Sequence, residues 1–238
     1  MPENADIKGI LFDKDGTLID FNRTWLPVVT QLAHGIAAGD PVQARALVEQ
    51  GGYDWGQQRF RSGSVVAAGT IEDLVDLWHP GLGTDERTRR VKVYDGLAVS
   101  EGAARAVAFD GLHDALALLV QRGFILGIAT NDSEAGARAT AMALELGDLF
   151  TAIIGYDSVV RAKPHADQLQ LFAEQTGLLP AQIAMVGDNP HDLEMAHAAG
   201  AGLAIGVLSG NSTRAELEAL SDVILDGVVD LPEYLAQI

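Results

Sequence analysis

The stretch Ile10-Leu11-Phe12-Asp13-Lys14-Asp15-Gly16-Thr17 decides how the chain is read. An unbroken apolar run that ends in polar turn residues predicts a strand buried on both faces, as in a parallel sheet. Open parallel sheets collect their chemistry just past the carboxyl ends of their strands. Asp13 and Asp15 stand in that position, with one residue between them. A carboxylate there can act as a nucleophile or hold a hard cation, and a second one two residues on can move protons. The same letters also spell an ordinary Asp-Gly turn, so the motif is weighed with the rest of the chain.

The chain has 238 residues, long for one average domain and short for two, which suits one domain carrying a sizeable insertion. Cysteine is absent, which removes disulfide frameworks, thiolate metal sites and cysteine nucleophiles. The start, Met1-Pro2-Glu3-Asn4-Ala5-Asp6, is polar and acidic, and no apolar stretch approaches the ~20 residues of a membrane span. A cytoplasmic protein without a membrane partner is expected. A net charge of -17 speaks against nucleic acid and anionic membranes. The charge is uneven: residues 23–105 hold nine Lys+Arg against ten Asp+Glu, and the remainder holds seven against twenty-three.

Strand-like runs at 7–12, 124–129, 152–154, 183–186 and 202–205 alternate, from the second onward, with amphipathic stretches at 134–146, 166–176 and 192–199. That alternation predicts βαβ units and an α/β, Rossmann-like, doubly wound parallel sheet. Between 18 and 109 the pattern is helical instead, with Trp25, Val28, Val29, Leu32 and Ile36 at helical spacing and further runs at 42–49 and 71–78. The expected organisation is an α/β core from residues 1–19 and 109–238, with an all-helical cap over 20–108.

Three further features fall at expected strand ends. Thr130-Asn131-Asp132 offers a hydroxyl and an amide before a helix, suited to an oxyanion or phosphate, although taken alone such residues are more often an N-cap. Lys163-Pro164 follows a loop, and Lys163 is one of few basic residues outside the insertion. Gly187-Asp188-Asn189-Pro190-His191-Asp192 sets one carboxylate at a strand end and another four residues later. With Asp13 it could form an all-oxygen cation site of the kind that suits Mg²⁺, or it could be only a turn. No second histidine lies at ligand spacing from His191, so the histidines are read as non-ligands.

In this order (Asp-Lys-Asp-Gly-Thr, Thr-Asn, Lys-Pro, Gly-Asp-three residues-Asp) the motifs resemble the haloacid dehalogenase superfamily, over essentially the whole chain. The inserted cap, Asp110-Gly111, the run 124–132 and the tail Ser221-Asp222-Val223-Ile224 look like its phosphoglycolate-phosphatase-like branch. The superfamily's dehalogenases lack the second acid of the first motif. Asp15 therefore favours phosphate chemistry.

The resemblance implies a phosphatase in which Asp13 attacks phosphorus to form an aspartyl-phosphate. Asp15 would serve as acid and then base. It also implies Mg²⁺ on the Asp13 carboxylate, the Asp15 carbonyl and the Asp188 carboxylate, with Asp192 in support. Thr130, Asn131 and the backbone amides from Lys14 to Gly16 would hold the phosphoryl oxygens, and Lys163 would add fixed positive charge. The substrate expected is a small anionic phosphate ester. Arg23, Trp25, Arg59 and Arg61 are the cap residues that could read it, an arginine serving a substrate carboxylate. A phosphosugar mutase and a non-catalytic phosphate-binding module are the alternatives.

Overall fold

In the computed structural model, which describes residues 6–237, the opening apolar run forms β1 (Gly9–Phe12), buried at all four positions. The acidic stretch 1–5 lies outside the described residues. The chain then leaves the sheet for α1 (Phe21–Ile36), α2 (Pro41–Gln50), two short strands β2 (Tyr53–Asp54) and β3 (Arg59–Phe60), α3 (Val65–Ala68), α4 (Ile71–Trp78) and α5 (Thr84–Arg105). It returns through α6 (Leu112–Gln121), β4 (Ile125–Ala129), α7 (Glu134–Ala143), β5 (Ala152–Ile154), α8 (Asp167–Thr176) and β6 (Ile183–Gly187). It ends with α9 (Pro190–Ala199), β7 (Leu203–Val207), α10 (Arg214–Leu217), β8 (Val223–Leu225) and α11 (Leu231–Leu235).

Six of these strands make one parallel sheet in the order β5-β4-β1-β6-β7-β8. Side chains alternate across each strand, so β1 feeds two cores. Ile10 and Phe12 pack with Leu112, Leu116 and Leu119 of α6 on one face, while Leu11 packs with Leu169 and Phe172 of α8 on the other. Helices on both faces explain why the strands read as continuous apolar runs rather than alternating ones. Succession along the sheet runs outward from β1 to β5 and then restarts at β6 on the other side. The crevice at that reversal, beyond the carboxyl ends of β1 and β6, is where such sheets bind ligands.

The excursion from α1 to α5 has its own apolar cluster, built around Val28, Val29, Leu32, Phe60, Val75 and Trp78. It is not all helical. β2 and β3 pair antiparallel through Tyr53↔Phe60 and Asp54↔Arg59. The hairpin is held by the Tyr53–Phe60 edge contact, 5.0 Å between centroids, and by Asp54 Oδ1 accepting from the amides of Gly56 (2.8 Å) and Gln57 (3.0 Å). Two residue pairs are too few to show a period of two in the sequence. The long α5 escaped notice for a related reason: only Tyr94, Ala98 and Gly102 are buried along its 22 residues. β8 is an edge strand of three half-buried residues, which the sequence marked only as an apolar tail. Among the described residues no helix is long and apolar enough to cross a membrane.

Leu116 is fully buried at the centre of the α6 face. Leu116→Ala should cost about 2–5 kcal/mol through lost burial and the cavity left behind. Its melting temperature should fall by roughly 4–20 °C at this chain length, read by thermal denaturation followed by circular dichroism.

Candidate active site

Asp13 follows directly on β1, and its amide donates to the Val186 carbonyl (2.8 Å), which continues the β1–β6 ladder one residue past the strand. Asp188 directly follows β6. The two carboxylates thus issue from neighbouring strand ends, and Asp192 joins them from the first turn of α9. One oxygen from each lies within 4.8 Å of the others, and all three residues are buried. Lys163 bridges the group, donating to Asp13 Oδ1 and to Asp192 Oδ1 at 2.6 Å each. Asp192 Oδ2 accepts from the Asn189 amide (3.0 Å), so that residue caps α9 with one oxygen and orients Lys163 with the other. Asp188 Oδ2 accepts from the Asn211 amide (3.0 Å). Among the described residues the second oxygens of Asp13 and Asp188 carry no hydrogen bond, whereas both oxygens of Asp192 are engaged.

Burial dominates the electrostatics. It pushes the Asp13 carboxyl up to about 7 against the opposing pull of Lys163, and it raises Asp188 well above the usual carboxylate range, with Asp13 and Asp192 adding to the effect. Burial alone would lower Lys163, but Asp13 and Asp192 outweigh it and hold the ammonium above its ordinary value. A hard divalent cation fits this set: the donors are all oxygen, two of them are free, and one lysine leaves the three carboxylates short of positive charge.

The Asp15 carboxylate is not part of that cluster. It turns toward α1, where Oδ1 accepts from the Trp25 indole N–H and Oδ2 lies 2.6 Å from Lys14 Nζ. Lys14 has a 1 % exposed side chain, sits 3.2 Å from Asp132 Oδ2 and lies 5.1 Å from the Trp25 ring centroid. Sequence reasoning missed Lys14 and Asp132 as side chains of the site. A lysine inside Asp-Lys-Asp reads as a solvated charge, and nothing in the spacing announces its burial.

Gly16 plays a different part from the one expected. Its amide donates to the Ile19 carbonyl (2.8 Å), so it is not free for an anion, whereas the amides of Lys14 and Asp15 donate to no group among the described residues. With φ +91°, a Cβ at Gly16 would lie 2.6 Å from Asp188 Oδ2; glycine lets the turn press on that carboxylate. Gly210 approaches the same oxygen, to which a Cβ would come within 1.8 Å.

Thr130 does not cap α7; that cap is Ser133, whose Oγ accepts from the Gly136 amide (3.2 Å). Thr130 is buried beside the carboxylates, its Oγ1 accepting from the Asp132 amide (3.1 Å). Asn131 spends its amide nitrogen on the Ala68 carbonyl (2.9 Å), tying core to cap, and its Oδ1 is buried without a partner among the described residues.

Of the four cap residues expected near substrate, only Trp25 lines the cleft. Arg23 is exposed, because it falls two positions from Trp25 and so on the opposite side of α1 from Trp25, Val28, Val29 and Leu32. Arg61 donates to the Glu49 carbonyl (3.2 Å). Arg59 donates to the carbonyls of Gly210 and Asn211, latching the β2–β3 hairpin onto the loop that also holds Asp188. Asn22 reinforces the latch, giving Nδ2 to Asn211 Oδ1 (2.9 Å) and accepting from the Phe60 amide (2.9 Å).

The model of the haloacid dehalogenase-like hydrolases matches residues 7–200. The chain is 29% identical over 97% of its length to the phosphoglycolate phosphatase of Escherichia coli K12, covering 93% of that protein. It is 30% identical, with the same coverage of both chains, to that of Pectobacterium atrosepticum. In fold it is similar to a haloacid dehalogenase-like family hydrolase from Streptococcus pneumoniae (TM-score 0.72, 23% identity, 98% of this chain and all of that one). The ordered strand-end motifs, the sheet that carries them and these matches agree: the chain belongs to the haloacid dehalogenase-like hydrolase family.

Proposed function

We propose that this hydrolase is a Mg²⁺-dependent phosphatase that cleaves a small phosphate monoester through an aspartyl-phosphate on Asp13. One observation carries the reading. Asp13 is pinned through one oxygen by Lys163, with its other oxygen free beside Asp188, while Asp15 turns away from that cluster toward the cap. The nucleophile faces the place of the phosphorus, and the proton carrier faces the place of the leaving group.

The free oxygen of Asp13 forms the new bond to phosphorus as the ester P–O bond breaks. Asp15, as the acid, hands its proton to the departing alkoxide. Now a carboxylate, it takes a proton from the water that attacks the phosphoryl group, and the acyl-phosphate P–O bond breaks to release Asp13 and inorganic phosphate. Lys163, Thr130 and the open amides of Lys14 and Asp15 are the donors for the phosphoryl oxygens, aimed where charge develops. Lys14 and Trp25 hold the Asp15 carboxyl between them. Mg²⁺ bound by the Asp13 and Asp188 carboxylates and the Asp15 carbonyl would keep Asp13 ionised and let it approach an anionic phosphate. The phosphoglycolate phosphatases among the relatives support this reading. The excursion over 20–108 acts in it as a cap that excludes water from the acyl-phosphate.

Asp13→Asn should remove turnover of p-nitrophenyl phosphate in the presence of Mg²⁺ with the circular dichroism spectrum unchanged; retained multiple turnover would rule out the covalent route. Asp15→Asn should lower kcat on alkyl phosphates by about 10²–10⁴-fold. An activated aryl phosphate needs no proton on its leaving group, so its first turnover is spared and should appear as a burst in rapid-mixing experiments.

The raised carboxyls of Asp13 and Asp188 also make a stability prediction. Each holds its proton more tightly folded than unfolded, so the folded state binds more protons between about pH 4 and about 7, and stability falls as pH rises through that window. The surface carboxyls lowered by their partners (Asp76, Glu86, Asp167) act below it. The melting temperature without divalent cations should therefore drop from pH 5 to pH 7.5, Mg²⁺ should restore more at pH 7.5 than at pH 5, and Asp13→Asn should flatten both trends.

A further inference from the structure

We infer that the leaving group of the substrate is an apolar organic group, not a carboxylate-bearing or sugar-like one. The inference rests on the phosphatase reading above and names the class of ester. The cleft above Asp13 and Asp15 lies between the strand ends and the excursion that covers them. Its floor is the polar cluster already described. Its walls and roof come from the cap: Trp25, Val28, Val29 and Leu32 from one face of α1, with Ile71 and Leu74 from α4. Valines and alanines of α3 and Ala98 of α5 close the remaining sides. A group attached to a phosphoryl at Asp13 and released past Asp15 is delivered into this aliphatic space.

No cation waits there for a carboxylate. Among the described residues Lys163 is the sole lysine or arginine on the lining, and Asp13 and Asp192 already share it. The nine basic residues of the insertion all stand away from the cleft. Arg59 and Arg61 serve backbone carbonyls, and Arg45 lies 4.0 Å from the Trp55 ring. Arg87, Arg89, Arg90 and Arg105 are in surface ion pairs, and Arg23 and Lys92 are exposed. A glycolate carboxylate would lose its water there and meet Asp15 and Asp132 in place of a counter-ion. Sugar hydroxyls would find few partners along those walls, whose one hydroxyl, Thr70, is already bonded to Asp73. An alkyl or aryl group gains by the burial. Beyond the polar floor the lining carries two polar side chains: Thr70, whose Oγ1 is engaged with Asp73, and His191, whose Nδ1 is buried without a partner among the described residues. Its place at the start of α9, beside the carboxylates, suits an oxygen near the ester rather than the far end of the substrate.

The test is kcat/KM of the full chain with Mg²⁺ on ethyl, butyl and hexyl phosphate, whose leaving alcohols share one basicity. The comparison substrates are 2-phosphoglycolate and glucose 6-phosphate, with p-nitrophenyl phosphate as a generic ester. The expected result is a rise of about three- to fourfold per methylene until the cleft is filled, with hexyl phosphate well ahead of phosphoglycolate. Ile71→Arg, at a half-buried position on the lining, should invert that order by lowering the hexyl and raising the phosphoglycolate value, with its melting temperature as the folding control. A flat alkyl series with phosphoglycolate or glucose 6-phosphate preferred, while p-nitrophenyl phosphate is hydrolysed, overturns the inference and leaves the phosphatase standing. A phosphoglycolate preference abolished by His191→Gln overturns it too, by assigning a carboxylate partner. Absence of turnover on every ester overturns both readings together.

Discussion

Lys163 sits between Asp13 and Asp192 at hydrogen-bond distance from each, with 4 % of its side chain exposed, and much of the site's geometry depends on that contact. Three carboxylates from neighbouring strand and helix ends, out of water and within a few ångströms of one another, repel. A single buried ammonium reduces that repulsion and fixes which oxygens remain available. It ties down one oxygen of Asp13 and leaves the other for chemistry. It also binds α9 to the strand ends, since Asp192 caps that helix with its second oxygen. Removing the ammonium would leave unpaired buried charge, which is far costlier than losing a surface ion pair.

A second ion group, Lys14 with Asp15 and Asp132, is built on the same principle on the cap side of the first. The two groups separate the roles of the paired aspartates. Asp13 looks to Lys163 and Asp188, and Asp15 looks to Lys14 and Trp25. The two residues stand two apart in the chain, but their surroundings give one a place among buried carboxylates and the other a place against an indole. The latch of Arg59 and Asn22 on the loop at 210–211 extends this logic to the cap. The residue whose amide holds Asp188 also receives the cap's side chains, so the cap's seating and the position of that buried carboxylate share one set of hydrogen bonds.

Much of the core was legible because buried parallel strands leave a strong trace. The runs at 152–154 and 183–186 lie within β5 and β6, and those at 7–12, 124–129 and 202–205 overlap β1, β4 and β7. The helical periods of α1 and α4 were equally plain. Elements with weak burial left no such trace: the β2–β3 hairpin, with two residue pairs, the long α5, with three buried positions, and β8, at the sheet edge. Asp13, Asp15, Lys163 and Asp188 could be picked out because each stands at or near the end of a readable strand. Lys14 and Asp132 could not, because their burial comes from what folds over them. Asn211 meets Asp188 from 23 residues away and Asn22 from 189, separations at which no local pattern operates.

The sequence by itself determined the order of the motifs along a doubly wound sheet, because strand burial and turn chemistry are local and periodic. It also singled out the carboxylates that gather at the sheet's reversal point. The tertiary structure alone decided which charges meet there and which stay in solvent. Arginines that read as substrate contacts became a latch and surface groups, since the apolar face of α1 had to turn inward and Arg23 lies opposite it. The same rotation lined the cleft with Trp25, Val28, Val29 and Leu32. A side chain's neighbours across the fold are set by packing, not by its place in the chain. That is why the pair Asp13 and Asp15 could be read as chemistry from the sequence, while the environment offered to the rest of the substrate could not.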